Sequence, residues 1–161
     1  MGDIKFIVDV NVGKLVHWLR MMGYDALLFD GEDDGQMLRI ALEQDRLILT
    51  RDSQFLKRRL ITGGRVKALF VGGDDSEKQI KHVVETLQLD YKYKPFTLCL
   101  LCNYPLVGIG KEQVKNRVPP HVYRTQESYM ECPSCHRVYW QGTHWEAMVR
   151  ELDRFAGNKI R

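Results

Sequence analysis

Residues 4–10 read IKFIVDV, a β-rich apolar run of about one strand's length that carries an acid, Asp9, at its end. A run without polar alternation is what a strand buried on both faces requires. Three more such runs follow: DALLF at 25–29, RLILT at 46–50 and VKALFV at 66–71. Between them the apolar spacing turns helical. Gly13 to Met22 places Leu15, Trp18, Leu19 and Met22 at helical spacing, and Gly23 stands where a helix C-terminus favours glycine. After the acidic turn Asp30 to Asp34, a helix to about Gln44 carries Met37, Ile40 and Ala41 inward. Asp52 and Ser53 start a third helix with Phe55, Leu56 and Leu60, closed by Gly63 and Gly64. A fourth, from about Asp75 to Leu87, shows Ile80, Val83, Val84 and Leu87 on one face. The order β-α-β-α-β-α-β-α predicts an α/β fold with a mainly parallel sheet and flanking helices, because each crossover returns the chain to the same edge.

Composition shifts near Tyr91 to Pro95. This predicts an α/β domain over 1–94 and a smaller unit over 95–161, short in its segments, rich in turns and closed by a helix from about His144 to Phe155. The 161 residues are 44% hydrophobic and 28% charged, ordinary for a chain that buries its own core. The net charge of +3 lies wholly in the second unit: 1–94 holds 15 basic and 15 acidic residues, 95–161 holds 9 and 6. That excess is compatible with a polyanionic partner without identifying one. No apolar run is long enough to cross a membrane, and the N-terminus has no signal-peptide pattern, so a cytoplasmic location is expected.

The second unit contains all four cysteines. Cys99-Leu-Leu-Cys102 is followed, after 29 intervening residues, by Cys132-Pro-Ser-Cys135. Two CxxC pairs supply the two knuckles of a tetrahedral Zn²⁺ site, and four thiolates leave no open position, so the expected ion is structural. His136 adjoins Cys135 as a weaker ligand candidate. A redox role for the pairs is the less favoured alternative.

In a parallel sheet, chemistry gathers at the carboxyl ends of the strands. Asp9 ends the first strand, Asp30 follows the second with Asp33 and Asp34 beyond it, Asp52 follows the third, and Asp74 and Asp75 follow the fourth. Clustered carboxylates call for a cation, and their hard oxygens suit Mg²⁺ or Mn²⁺. Asp33, Asp34, Asp52 and Asp75 also sit where helices begin, the ordinary place for an N-cap. Asp9 comes too early to cap the next helix, so a buried carboxylate there needs another partner. Thr50 and Arg51 beside Asp52, with Asn11, Lys14 and Arg20, are candidate ligand or phosphate contacts. Trp18, Trp140 and Trp145 are candidates for base stacking, with core packing as the alternative.

Taken together, the segments VDVNVGKLVHWLRMMGYD, LTRD, CLLCNYPL, RVPPHVY and CPSCHRVYWQGTHWEAM resemble the Mut-seven C-terminal RNase domain family, across nearly the whole chain. Asp34 opening a helix that contains Ala41, with Asp52 eighteen residues later, is similar to the second half of PIN-type nuclease domains. The resemblance implies a PIN-like core joined to a C-terminal zinc ribbon with a terminal helix. It also implies metal-dependent cleavage of RNA, expected to be single-stranded, with Asp9, Asp34 and Asp52 as metal-binding catalytic acids. Longer PIN domains have a further acid between the first Asp and the later helix, whereas Gly13 to Tyr24 contains none here; Asp30, Asp74 or Asp75 would have to substitute. A non-catalytic RNA-binding or adaptor module is the alternative expectation.

Overall fold

The computed structural model describes residues 3–160, without the side chains of 143–145 and 155–160. The readings made for His144, Trp145 and Phe155 fall outside the described side chains.

The opening run forms β1 (Lys5–Asp9) at the middle of the molecule. Phe6, Ile7 and Val8 are all buried, and strand alternation sends Phe6 and Val8 to one face of the sheet and Ile7 to the other. β2 (Ala26–Phe29) and β3 (Arg46–Thr50) flank it, and β4 (Ala68–Phe70) lies beyond β3. Every pairing is parallel, in the order β2-β1-β3-β4, with Phe6 opposite both Ala26 and Leu47. The mainly parallel sheet read from the alternation is therefore present.

Helices cover both faces. α1 (Leu15–Met22) and α4 (Ser76–Leu87) bury Leu15, Leu19, Met22, Ile80, Val83 and Val84 against Phe6 and Val8. α2 (Asp34–Gln44) lays Met37, Leu38 and Ala41 against Ile7 and Ile48 on the other side. Each such fully buried aliphatic side chain contributes on the order of 2 kcal/mol, which makes the two layers the main source of stability. α1 ends at Gly23 with φ 96°, where an added Cβ would come within 2.3 Å of the Lys94 carbonyl oxygen. The residue-94 segment can pass this close only because position 23 lacks a side chain.

One expectation fails. The helix foreseen from Asp52 is instead a single 3-10 turn, Phe55–Lys57, followed by the one-turn helix α3 (Arg59–Thr62). Arg58 between them is extended (φ −61°, ψ 143°), which stops the i→i−4 ladder after one turn. β4 is also shorter than the VKALFV run, because Val66 turns its N–H to the Leu60 carbonyl and does not enter the sheet.

Beyond Pro95 the chain builds a second, antiparallel sheet. β5 (Val107–Ile109), β6 (Tyr129–Glu131) and β7 (Val138–Tyr139) pair in the order β5-β6-β7. The helix α5 (Pro120–Thr125) precedes β6. Val114, Val118, Val122 and Tyr129 make a small cluster there, too small a core to stand alone. The last helix, α6 (Thr143–Ile160), returns to the first core, where Leu152 is buried among the α1 and α4 residues.

Candidate functional site

The carboxyl ends of β1 and β3 place Asp9 and Thr50 side by side. The Thr50 hydroxyl, fully buried, donates to Asp9 Oδ2 at 2.8 Å and accepts from the Asp52 N–H at 3.0 Å. One hydroxyl thus fixes the acid that ends β1 and the backbone that carries the acid after β3. Asp52 Oδ1 accepts from the N–H groups of Gln54 and Phe55 at 3.0 and 3.2 Å. Among the described residues, Asp9 Oδ1 and Asp52 Oδ2 have no hydrogen-bond partner.

Asp34 is the first residue of α2, half-exposed, with its Oδ2 4.0 Å from Arg58 Nη2. Sequence reasoning did not single out Arg58; its position depends on the break in the foreseen helix. Asp33 and Asp75 have local duties: they cap α2 and α4 by accepting from Gly35 N and Glu77 N. Asp74 forms an exposed ion pair with Arg51 at 2.9 Å, and Arg51 N donates to Asn11 Oδ1 at 3.3 Å. Asp30 is exposed. Lys14 lines an open groove of about 340 Å³ with Asn11, Gly13, Arg51, Asp74 and Gln79.

Arg20 leaves the candidate set. It is 6% exposed and its guanidinium donates to the carbonyls of Ala26 and Leu100 at 3.0 and 2.8 Å, at the amino end of the strands, far from the acids. Trp18 and Trp140 pack against the two apolar clusters.

The four cysteines do converge. Their Sγ atoms all lie within 4.8 Å of one another, and among the described residues they are the group of three or more metal-capable side chains that closes in this way. Cys99 Sγ and Cys135 Sγ are 3.7 Å apart. A tetrahedral ion with Zn–S bonds of about 2.3 Å requires S–S edges of about 3.8 Å, so the thiols fit a structural zinc. The two knuckles repeat one design. Cys102 N and Cys135 N each point at the sulfur three residues earlier at 3.4 Å, and Asn103 and His136 both take φ 63° to turn the chain back. His136 is thereby used as a turn residue, its ring 3.6 Å from Glu131 and outside the thiol cluster. The thiols divide their protons unequally. Burial pushes Cys99 up, but the Tyr139 hydroxyl and the N–H groups of Cys102 and Leu101 outweigh it and bring it down to about 7. A hydrogen bond with Cys135 pushes Cys102 up to about 12. A zinc ion bound here would be held by Cys99, Cys102, Cys132 and Cys135 as thiolates, their protons released to solvent.

The first knuckle is bolted to the sheet. Arg20 holds the Leu100 carbonyl, and Tyr139 Oη reaches both Cys99 Sγ and Leu100 N at 3.1 Å. Asn103 Oδ1 accepts from Ala26 N at 3.0 Å while its Nδ2 donates to Asp25. Asp25 in turn pairs with Arg46, whose guanidinium also donates to the Phe6 carbonyl. Burial pushes the Asp25 carboxyl up, but the hydrogen bonds from Arg46 and Asn103 hold it below the ordinary carboxylate range. Asp25, Arg46, Asn103 and Tyr139 were not foreseen; the charges that open DALLF and RLILT are a signal for the first two alone.

No helix among the described residues is long and apolar enough to cross a membrane. No curated protein and no solved structure matches the chain significantly. The family model described as Mut7-C RNAse domain matches residues 4–152, nearly the whole length, over both the acidic edge and the four-cysteine knuckles. The chain belongs to the Mut7-C RNAse domain family.

Proposed function

We propose that the protein is a Mg²⁺- or Mn²⁺-dependent ribonuclease that hydrolyses phosphodiester bonds of single-stranded RNA at the carboxyl edge of its parallel sheet. The observation that carries this is the Asp9–Thr50–Asp52 chain: two acids at the carboxyl ends of adjacent strands, linked through one buried hydroxyl, each keeping an oxygen clear of partners among the described residues. Those oxygens are hard donors of the type these cations take, and Asp34 is the third acid of the proposed set. A divalent cation bound there supplies a Lewis acid for the phosphate and an activated water. The Thr50 hydroxyl orients Asp9, and the Gln54 and Phe55 amides orient Asp52. Lys14, Asn11 and Arg51 border the edge as substrate contacts. The same reading divides the chain into a catalytic unit, 1–94, and a zinc-bearing brace, 95–161, a division supported by their separate sheets.

Purified protein with Mn²⁺ should cleave a labelled single-stranded RNA, and Asp52→Asn should abolish cleavage. The amide keeps Oδ1 for the Gln54 and Phe55 N–H groups, so the fold should survive. Equal cleavage by the variant would refute the assignment. A specific observation favours a second reading, an RNA-binding module without turnover: the carboxylates of Asp9, Asp34 and Asp52 do not close on one another as the thiols do. That module would bind RNA in a salt-dependent way and take up no Mn²⁺ at the edge, so a Mn²⁺ titration separates the two.

A further inference from the structure

The turn that delivers Asp52 also delivers a cation. Asp52 Oδ1 winds residues 55–57 by accepting from two of the turn's N–H groups. Arg58 closes the turn: its N–H donates to the Phe55 carbonyl at 3.1 Å before the backbone swings to extended. Its guanidinium lies 5.7 Å from the centre of the Phe55 ring, and Phe55 is buried between β3 and α2. The head of the side chain stands 4.0 Å from Asp34 Oδ2. Arg58 is therefore seated on an anchored aromatic ring and faces one of the proposed acids.

Its contact with Asp34 has little structural value. The separation is at the limit of an ion pair, and the two side chains are 49% and 45% exposed. Such pairs add almost nothing to stability. The chemistry of the edge does call for a cation. Carboxylates repel a phosphodiester, and negative charge spreads over the non-bridging oxygens as the phosphorus is attacked. Arg51, the neighbouring guanidinium of this edge, lies closer to its own acid, 2.9 Å from Asp74, than Arg58 does to Asp34. A guanidinium offers a planar fork that matches two phosphate oxygens at once.

We propose that Arg58 is a phosphate-binding residue of the acidic edge, exchanging its loose contact with Asp34 for the non-bridging oxygens of the RNA phosphate that is cleaved. This rests on the ribonuclease reading above. The test uses the full zinc-loaded chain and a short fluorescent oligouridylate. In an Asp52→Asn background, Arg58→Ala should lower the slope of log K against log salt by about 0.7, the share of one single-strand phosphate contact. Arg58→Lys should restore the slope because the charge returns. With Mn²⁺ and Asp52 intact, Arg58→Ala should cut kcat/KM about a hundredfold. Arg58→Lys should recover it only in part, for want of the fork.

Thermal midpoints should stay level across the series. An unchanged slope and unchanged kcat/KM in Arg58→Ala would overturn the proposal. A fallen midpoint with the slope unchanged would also overturn it, making Arg58 a structural partner of Asp34. A wild type that binds without cleaving, with the slope still reduced by Arg58→Ala, would refute the ribonuclease reading and leave the phosphate contact standing. Cleavage indifferent to Arg58 would do the reverse.

Discussion

Asn103 should be the most sensitive single position in the joint between zinc knuckle and sheet. Its amide does two things at once: Oδ1 accepts from Ala26 N, and Nδ2 donates to Asp25. Ala26 is fully buried, so removing the acceptor strands an N–H where water cannot reach it, at a cost of about 1–3 kcal/mol. Asp25 is 39% exposed and keeps Arg46, so the loss of the second bond is discounted to about 0.5–1 kcal/mol. Position 103 also has φ 63°, which glycine adopts freely and alanine adopts at a cost of about 1 kcal/mol. Asn103→Gly should therefore cost about 3 kcal/mol and Asn103→Ala about 4, against a typical total of about 5–15. For a chain of this size that is a fall in Tm of roughly 6–12 °C for the glycine variant. Urea unfolding of the zinc-loaded proteins, followed by circular dichroism, measures both. A glycine variant within about 0.5 kcal/mol of wild type would refute the idea that the knuckle is clamped through this amide. Equal values for the two variants would refute the backbone part.

The ribbon should need its metal. One zinc per chain is expected by native mass spectrometry, and Cys132→Ser or a strong chelator should remove it together with the β5–β6–β7 signal, while the parallel sheet keeps its own. A chelated protein with an unaltered ribbon would contradict this. The Asp25 pair should leave a mark on acid stability. Its carboxyl is held below the ordinary range, so its contribution is present above the unfolded-state pKa and disappears as pH falls through the folded value. Below about pH 4, the urea midpoint of wild type should fall more steeply than that of Asp25→Asn, and parallel curves would contradict the pairing.

How far the chain could be read before folding depended on whether the deciding contacts were local. RLILT became β3 with the expected limits, because an apolar run between a basic residue and Thr50 has few other outcomes. Asp33 and Asp75 cap helices, as residues so placed commonly do. The knuckles were legible because a tetrahedral four-thiolate site demands that spacing. The helix from Asp52 was misread because Phe55, Leu56 and Leu60 have helical spacing, and nothing local announces that Arg58 will be extended. Arg20 was misread for a different reason. On a helix its charge suggests the solvated face, and the Leu100 carbonyl that buries it lies eighty residues away in sequence. Asp25 and Arg46 looked like ordinary strand flanks for the same reason, since Asn103 and the Phe6 carbonyl reach them only across the fold.

The polarity of a parallel sheet explains why the two metal-suited sites fall where they do. Its two edges are unlike: carboxyl ends open into loops and helix starts, while amino ends receive the chain from helix ends. The proposed acids occupy the first edge and the knuckle occupies the second, where Asn103 takes the Ala26 N–H and the Asp25 carboxylate, and Asp25 in turn pairs with Arg46, which donates to the Phe6 carbonyl; Ala26, Phe6 and Arg46 lie at or next to the starts of three adjacent strands. A five-residue strand places these edges about 13 Å apart. A four-thiolate zinc carries a net charge of about −2, and set beside three carboxylates it would repel both their cation and an RNA phosphate. At the far edge that charge would be partly offset by buried Arg20, whose guanidinium faces Cys99 and Cys102. The ribbon can then steady the strand starts without adding its charge to the edge where a polyanion would have to bind.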